Sequence, residues 1–267
     1  MLFTCSLNSG SNGNCYYIGN HSEAVLIDAG LSCRETEKRM HSKNLHPGTI
    51  KAIFISHEHT DHIKGLQSFV MKYRIPVYIT PATLKNSRLS INCDFIFPFS
   101  DAAEINIGGL QIIPFKKIHD AEDPHSFVVK GNGVTIGVFT DLGVVCGKTK
   151  KYFSECNAVY LESNYDEDLL QNGKYPHYLK QRIKGGKGHL SNTQALELFR
   201  NFRRKNLSHI FLSHLSRENN CPETVLNLFK KYSGRVHVSV ASREGCSDLF
   251  SISPAKTSLN YFQPSLF

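Results

Sequence analysis

His57-Glu58-His59-Thr60-Asp61-His62 decides how this chain reads. Three imidazoles and a carboxylate fall within one short stretch, directly after the apolar run Ile50 to Ile55, which predicts a buried strand. In a loop at a strand end, His57 and His59 alternate by two and can point at one metal ion. Asp61 and His62 turn onto the start of the next helix and can serve a second. Imidazole and carboxylate donors suit zinc or manganese, and iron also fits. Two such ions about 3.5–4 Å apart can share and acidify a water, which makes a nucleophile available at neutral pH. The expectation is a site for two divalent metal ions.

A hexapeptide cannot fill two coordination spheres, so further donors must come from elsewhere. Three candidates each follow an apolar run: His119 after Lys117-Ile118, Asp141 after Phe139-Thr140, and His214 after Phe211-Leu212-Ser213. A lone histidine at a strand end is usually structural. Three residues of ligand type at equivalent positions point to one centre.

Working outward, strands are predicted at Val25 to Ile27, Ile50 to Ile55, Val77 to Ile79, Ile112-Ile113, Phe127 to Val129, Val134 to Phe139, Val159 to Leu161, His209 to Leu212 and Val236 to Val240. Helices are predicted over Asp61 to Tyr73, Thr193 to Lys205 and Pro222 to Tyr232. The second opens on a capping-box pattern at Ser191 and Gln194, and the third carries proline in its first turn. The stripe Val225, Leu226, Leu228 and Phe229 reads as core. The alternation gives an α/β catalytic domain over residues 1–250, followed by a tail, 251–267.

With 267 residues the chain can bury a substantial core. A formal charge of +8 favours an anionic partner, and nucleic acid and phosphorylated small molecules both fit. The 8 cysteines are scattered without a C-x-x-C pair, which argues against a cysteine-rich zinc site. The opening MLFTCSLNSG lacks the features of a signal peptide, and no stretch approaches the roughly 18 apolar residues of a membrane span. No membrane partner and a cytoplasmic setting are expected.

Two further stretches carry chemistry. Ser9-Gly10-Ser11-Asn12-Gly13-Asn14 reads either as a hairpin turn or as a loop presenting hydroxyls, amides and N–H groups to a phosphate. Glu162 and His189 each follow the end of an element. An acid that orients a histidine lets the imidazolium protonate a leaving oxygen; the plainer reading of His189 is a helix-capping neighbour.

His-x-His-x-Asp-His after a strand, then His, Asp and His at later strand ends, resembles the metallo-β-lactamase superfamily over nearly the whole chain. The resemblance implies an αβ/βα four-layer sandwich. It implies a first metal on His57, His59 and His119, a second on Asp61, His62 and His214, and Asp141 bridging them. Asp28 in Leu26-Ile27-Asp28-Ala29-Gly30 would support the site without binding metal. The Glu162/His189 pair is similar to one in β-CASP nucleases and RNase J, but 26 residues between the two leave no room for a β-CASP cap.

Five motifs in order resemble the YycJ/WalJ (VicX) family: Ser-Gly-Ser-x-Gly-Asn, His119-Asp120-Ala121, Leu161-Glu162-Ser163-Asn164, Gly188-His189-Leu190-Ser191-Asn192, and Leu212 to Asn220. The resemblance implies a two-metal phosphodiester hydrolase acting as a 5′-to-3′ DNA exonuclease in mismatch repair. Asp61, Glu162 and His189 would be catalytic. Ser9, Ser11, Asn12, Asn14, His189 and Arg217 would bind the terminal phosphate. Lys174, Lys180, Arg182, Lys184 and Lys187 would meet the DNA backbone. Arg200, Arg203, Arg204 and Lys205 fit that role or a solvated helix face. The end Gln263-Pro264-Ser265-Leu266-Phe267 resembles the peptide by which repair proteins dock on the DNA sliding clamp, though hydrophobic residues also occur in tails by chance. The competing expectations are a cyclic phosphodiesterase of the same fold, which needs no extended basic surface, and a non-enzymatic regulator with a vestigial metal site.

Overall fold

The computed structural model describes residues 1–254, and its strands form two sheets of seven. The first begins with β1 (Leu2–Asn8), β2 (Cys15–Gly19), β3 (Ala24–Ile27), β4 (Ile50–Phe54), β5 (Val77–Tyr78) and β6 (Ile96–Phe97). The second runs in order through β7 (Ile105–Ile107), β8 (Leu110–Lys116), β9 (His125–Gly131), β10 (Val134–Phe139), β11 (Ala158–Glu162), β12 (His209–Ser213) and β13 (His237–Val240). The chain then returns to the first sheet as β14 (Phe250–Ile252), antiparallel to β1 with Leu2 opposite Ile252.

Alternation along each strand builds the layers. Val25 and Ile27 share a core between the sheets with Phe127, Val129, Ile136 and Tyr160. Their neighbours Ala24 and Leu26 face outward, onto Met40 of α1 (Cys33–His41) and Phe69 and Val70 of α3 (Leu66–Tyr73), which follows the one-turn α2 (Thr60–Ile63). On the far side, Val159, Leu161, Ile210 and Leu212 pack against α5 (Gly147–Phe153), α8 (Asn192–Phe202) and α9 (Pro222–Ser233) through Phe153, Phe199 and Phe229. Helix, sheet, sheet, helix is the expected αβ/βα sandwich. A short α4 (Pro81–Ser87) completes the first half. Only α6 (Glu167–Asn172) and α7 (His177–Lys184) stand between β11 and His189, and no cap is inserted there.

Some boundaries differ from the sequence reading. The helix expected over Asp61 to Tyr73 breaks between α2 and α3 at Gly65. Its N–H donates to Ala29 O at 2.9 Å, and a Cβ there would lie 1.7 Å from Leu31 O. The helix expected to reach Lys205 stops at Phe202, because Arg203 is extended, its guanidinium donating to Tyr232 O at 2.7 Å. The capping box at Ser191 and Gln194 is present. β14 takes in Ser251 and Ile252, so the sheet extends into the segment read as a tail. The clamp-peptide residues Gln263, Ser265, Leu266 and Phe267 lie outside the described residues. No helix among the described residues is long and apolar enough to cross a membrane.

Candidate metal centre

The donors sit where strands stop. β3 and β4 are parallel with Ile27 opposite Phe54, so Asp28 and the loop from Ser56 to His62 leave the sheet side by side. Asp28 is left-handed at φ 63°, which turns its carboxylate beneath the loop. Its Oδ1 accepts Ser56 N–H at 2.8 Å. Its Oδ2 accepts the Ser56 hydroxyl at 2.9 Å and His62 Nδ1–H at 2.7 Å. Ser56 has one proton and gives it to Asp28, so at 2.8 Å its oxygen must accept from His57 Nδ1. Both rings therefore present Nε2 to the site.

The second sheet supplies the facing donors. In β10, β11 and β12, all parallel, Phe139, Leu161 and Leu212 stand level, which brings Asp141, Glu162 and His214 to one edge. Asp141 and His214 are left-handed too, at φ 55° and 56°. That conformation costs a non-glycine residue about 1–2 kcal/mol, and strain of this kind clusters at functional sites. His119, beyond β8, donates Nδ1–H to Gly188 O at 3.0 Å.

The result is two triads whose ligand atoms all lie within 4.8 Å of one another: His57, His59 and His119, and Asp61, His62 and His214. His57, His62 and Asp141 meet the same criterion, which places Asp141 between the triads. Among the described residues, His119 Nε2, His214 Nε2 and Asp141 Oδ2 are buried without a hydrogen-bond partner. Orphaned buried groups are costly, and divalent cations held by the two triads are the groups that would satisfy them. The donor set fits one. Electrostatics agree in direction. Burial pushes His57 down and holds His119 near 4, so both are neutral. Burial also opposes charge on His62 and His214, but Asp28 raises His62 and Asp141 raises His214, the latter to about 10. Burial pushes Asp61 up as well, yet His62 and His214 hold it well below the usual carboxylate range.

Glu162 is fully buried and saturated with donors. Its Oε1 accepts Nδ1–H of His189 at 2.8 Å and of His214 at 3.0 Å; its Oε2 accepts the N–H of Leu142 at 2.7 Å and of Leu190 at 3.1 Å. Burial would raise this carboxyl, but the two imidazoles outweigh it and hold it near 2. One carboxylate thus orients His189 and a histidine of the second triad at once.

The structure brings only some of the predicted phosphate-binding residues to the cleft. Ser11, His59, Asp61, His119, Asp141, His189 and His214 line it, and its volume is about 330 Å³. Ser9 is buried instead, its hydroxyl accepting His214 N–H at 2.8 Å. Asn14 is buried, donating to Asp61 Oδ2 at 3.0 Å. Asn12 donates to Arg243 O at 2.7 Å. Most of the glycine-rich loop therefore braces the site, because its amides and hydroxyls are engaged by the protein. Arg217 lines a neighbouring cavity. Sequence reasoning overlooked Asp120, whose Oδ1 lies 3.2 Å from His119 Nε2 and whose Oδ2 accepts Arg182 Nε–H at 2.6 Å, and so ties α7 to the cleft. Its signal was the acid adjoining His119. Ser56 and the buried Lys117, whose ammonium donates to Thr140 O at 2.7 Å beside Asp141, were missed as well.

Comparison with known proteins follows the same lines. A beta-lactamase superfamily domain matches residues 23–211. The exodeoxyribonuclease YycJ of Bacillus anthracis is 34% identical over 220 residues, covering 81% of this chain and 83% of that protein. The exodeoxyribonuclease WalJ of Streptococcus pneumoniae is 31% identical over 222 residues, covering 81% and 82%. Among solved structures, the metallo-beta-lactamase fold protein YhfI from Bacillus subtilis superposes with a TM-score of 0.72 at 14% identity, covering 92% of this chain and 98% of that one.

Proposed function

The chain belongs to the beta-lactamase superfamily, with the YycJ/WalJ exodeoxyribonucleases as its relatives, and on that premise we propose that it is a two-metal 5′-to-3′ DNA exonuclease. The observation that carries the reading is the pairing of Glu162 and His189 beside two triads that could each hold a metal ion.

Two divalent cations, zinc or manganese, held by His57, His59 and His119 and by Asp61, His62 and His214 with Asp141 between, would supply Lewis-acid polarisation of a phosphoryl oxygen and acidify water. The chain's own residues do the rest. Asp28, Ser56 and Gly188 fix the tautomers of the ligand rings, so their Nε2 lone pairs face inward. His189 donates Nδ1–H to Glu162, which leaves Nε2 as the atom that passes a proton to the leaving oxygen or holds the phosphate charge. Arg182, fixed by Asp120, and the basic residues of the α6–α7 segment meet the strand's phosphates. α7 buries none of its side chains, and Tyr178 on it is 74% exposed, free to stack on a base.

The setting would be DNA repair, with the last five residues as the clamp-docking peptide; deleting them should abolish capture by a sliding clamp in a pull-down. The deciding test is digestion of end-labelled single- and double-stranded DNA, with and without a 5′-phosphate, in manganese or zinc. Stepwise shortening from the 5′ end is expected, and His59→Ala should remove it while the chain stays folded. Hydrolysis of a cyclic phosphodiester with no degradation of DNA would replace this reading with that of a small-molecule phosphodiesterase.

A further inference from the structure

A second cavity of about 410 Å³ adjoins the cleft. Ser9 and Leu215 line it, close in sequence to Ser11 and His214 of the cleft, and the Ser9 hydroxyl accepts His214 N–H at 2.8 Å. Leu215, Pro222 and Val240 give it an apolar lining, and Arg217 and Arg243 line it as well.

Among the described residues, neither arginine makes a close ion pair. Arg243 Nη1 is buried without a hydrogen-bond partner among the described residues. The Arg217 side chain is 76% exposed, and its contact with Glu218 is long, at 3.9 Å. Glu244 is the single acid on the wall, against two guanidiniums. The Arg243 segment is also held in place from the cleft side. Ser9 N–H donates to Ser242 O at 3.0 Å, Asn12 donates to Arg243 O at 2.7 Å, and a Cβ at Gly10 would lie 3.2 Å from Arg243 Cβ. A buried guanidinium N–H with no acceptor is costly, and a fixed fork of such donors matches the oxygens of a phosphate.

Resting on the nuclease reading, we propose that this cavity is a nucleotide subsite, in which Arg243 and Arg217 hold a phosphate of the bound strand other than the one being cut. The apolar lining packs against the sugar and base of that nucleotide. The phosphate is either internal or the 5′-terminal one, and the two are separable by experiment.

The test is fluorescence anisotropy of a 3′-labelled, phosphorothioate-blocked oligonucleotide on the metal-loaded protein, over a salt series, for wild type, Arg243→Gln and Arg217→Gln. Each variant is expected to bind about tenfold more weakly and to lower the slope of log affinity against log salt by about one. In steady state, the ratio of kcat/KM for the oligonucleotide to that for bis(p-nitrophenyl) phosphate should fall by a similar factor. Weakening with both 5′-hydroxyl and 5′-phosphate ends identifies an internal phosphate; weakening with the 5′-phosphate alone identifies the terminal one. Wild-type affinity and slope in both variants would overturn the subsite while leaving the nuclease reading intact. A wild type that neither binds nor cuts DNA would overturn the nuclease reading and the subsite with it. If thermal melting shows Arg243→Gln unfolded, Arg217→Gln decides, and an unchanged slope there sinks the proposal.

Discussion

Glu162 shows how much one buried side chain can organise. Its two oxygens take four N–H groups, two from imidazoles and two from the backbone. Glu162→Gln keeps one acceptor and adds an amide NH2 that faces the same donors. We expect kcat/KM to fall about 100-fold and the fold to lose about 1–3 kcal/mol, read from steady-state kinetics, bound-metal analysis and denaturant melts. Wild-type values throughout would mean that His189 needs no orienting acid. The neighbouring histidines make a second prediction. Without metal, the carboxylates around His62 and His214 keep both rings protonated at neutral pH. A cation must displace those protons, so adding zinc to the metal-free chain at pH 7.5 in weak buffer should acidify an indicator dye. No colour change would show that the rings are neutral beforehand.

At the scale of elements, close backbone crossings matter more than propensity. A Cβ at Gly30 would lie 1.7 Å from Asp61 O, the same carbonyl that accepts Asn14 N–H at 2.7 Å. Gly30→Ala should therefore push the Asp61 turn away from the site, costing about 2–4 kcal/mol and most of the bound metal, measured by calorimetry and elemental analysis. α1 and α3 are joined by Glu37, which accepts from the Lys72 ammonium at 2.6 Å and the Tyr73 hydroxyl at 2.7 Å. Lys72, then Tyr73, hold its carboxyl near 2, against an ordinary value of 4.5. The link is thus complete above pH 4.5 and fades as pH falls toward 2. Glu37→Gln should melt earlier by about 0.5–1 kcal/mol at pH 7, and the gap should narrow by pH 3; a constant gap would exclude the ionic origin. The same scale explains what sequence could and could not disclose. β4 and β10 to β12 were legible because both faces are apolar. β1 was not: Thr4, Ser6 and Asn8 are buried polar residues, and a hydroxyl such as that of Thr4, bonded to Tyr17 O at 2.9 Å, breaks the apolar pattern. α7 gave no stripe because none of its side chains is buried. In the site, ligand types at strand ends were readable one by one, whereas the inward roles of Ser9 and Asn14 depend on partners at positions 214 and 61.

Across the whole molecule, the halves of the chain divide cleanly between the sheets. β1 to β6 build one and β7 to β13 the other, joined by the stretch from Pro98 to Glu104, and among the described residues β14 alone crosses back. Each metal triad draws two donors from the first half and one from the second: His57 and His59 with His119, Asp61 and His62 with His214. The second half alone also groups Asp141, Glu162, His189 and His214, but neither triad is complete in one half. Severed near Asp101, the chain becomes two polypeptides that share one inter-sheet core and must meet to complete either triad. Their reunion should then respond to free zinc, with the β14 strap as a constant weak tether and the cation as the fastener. Separately purified pieces that regain phosphodiesterase turnover only when mixed, at a threshold set by metal, would make this scaffold a complementation reporter for zinc; pieces that reunite equally well in chelator would show that the core alone suffices.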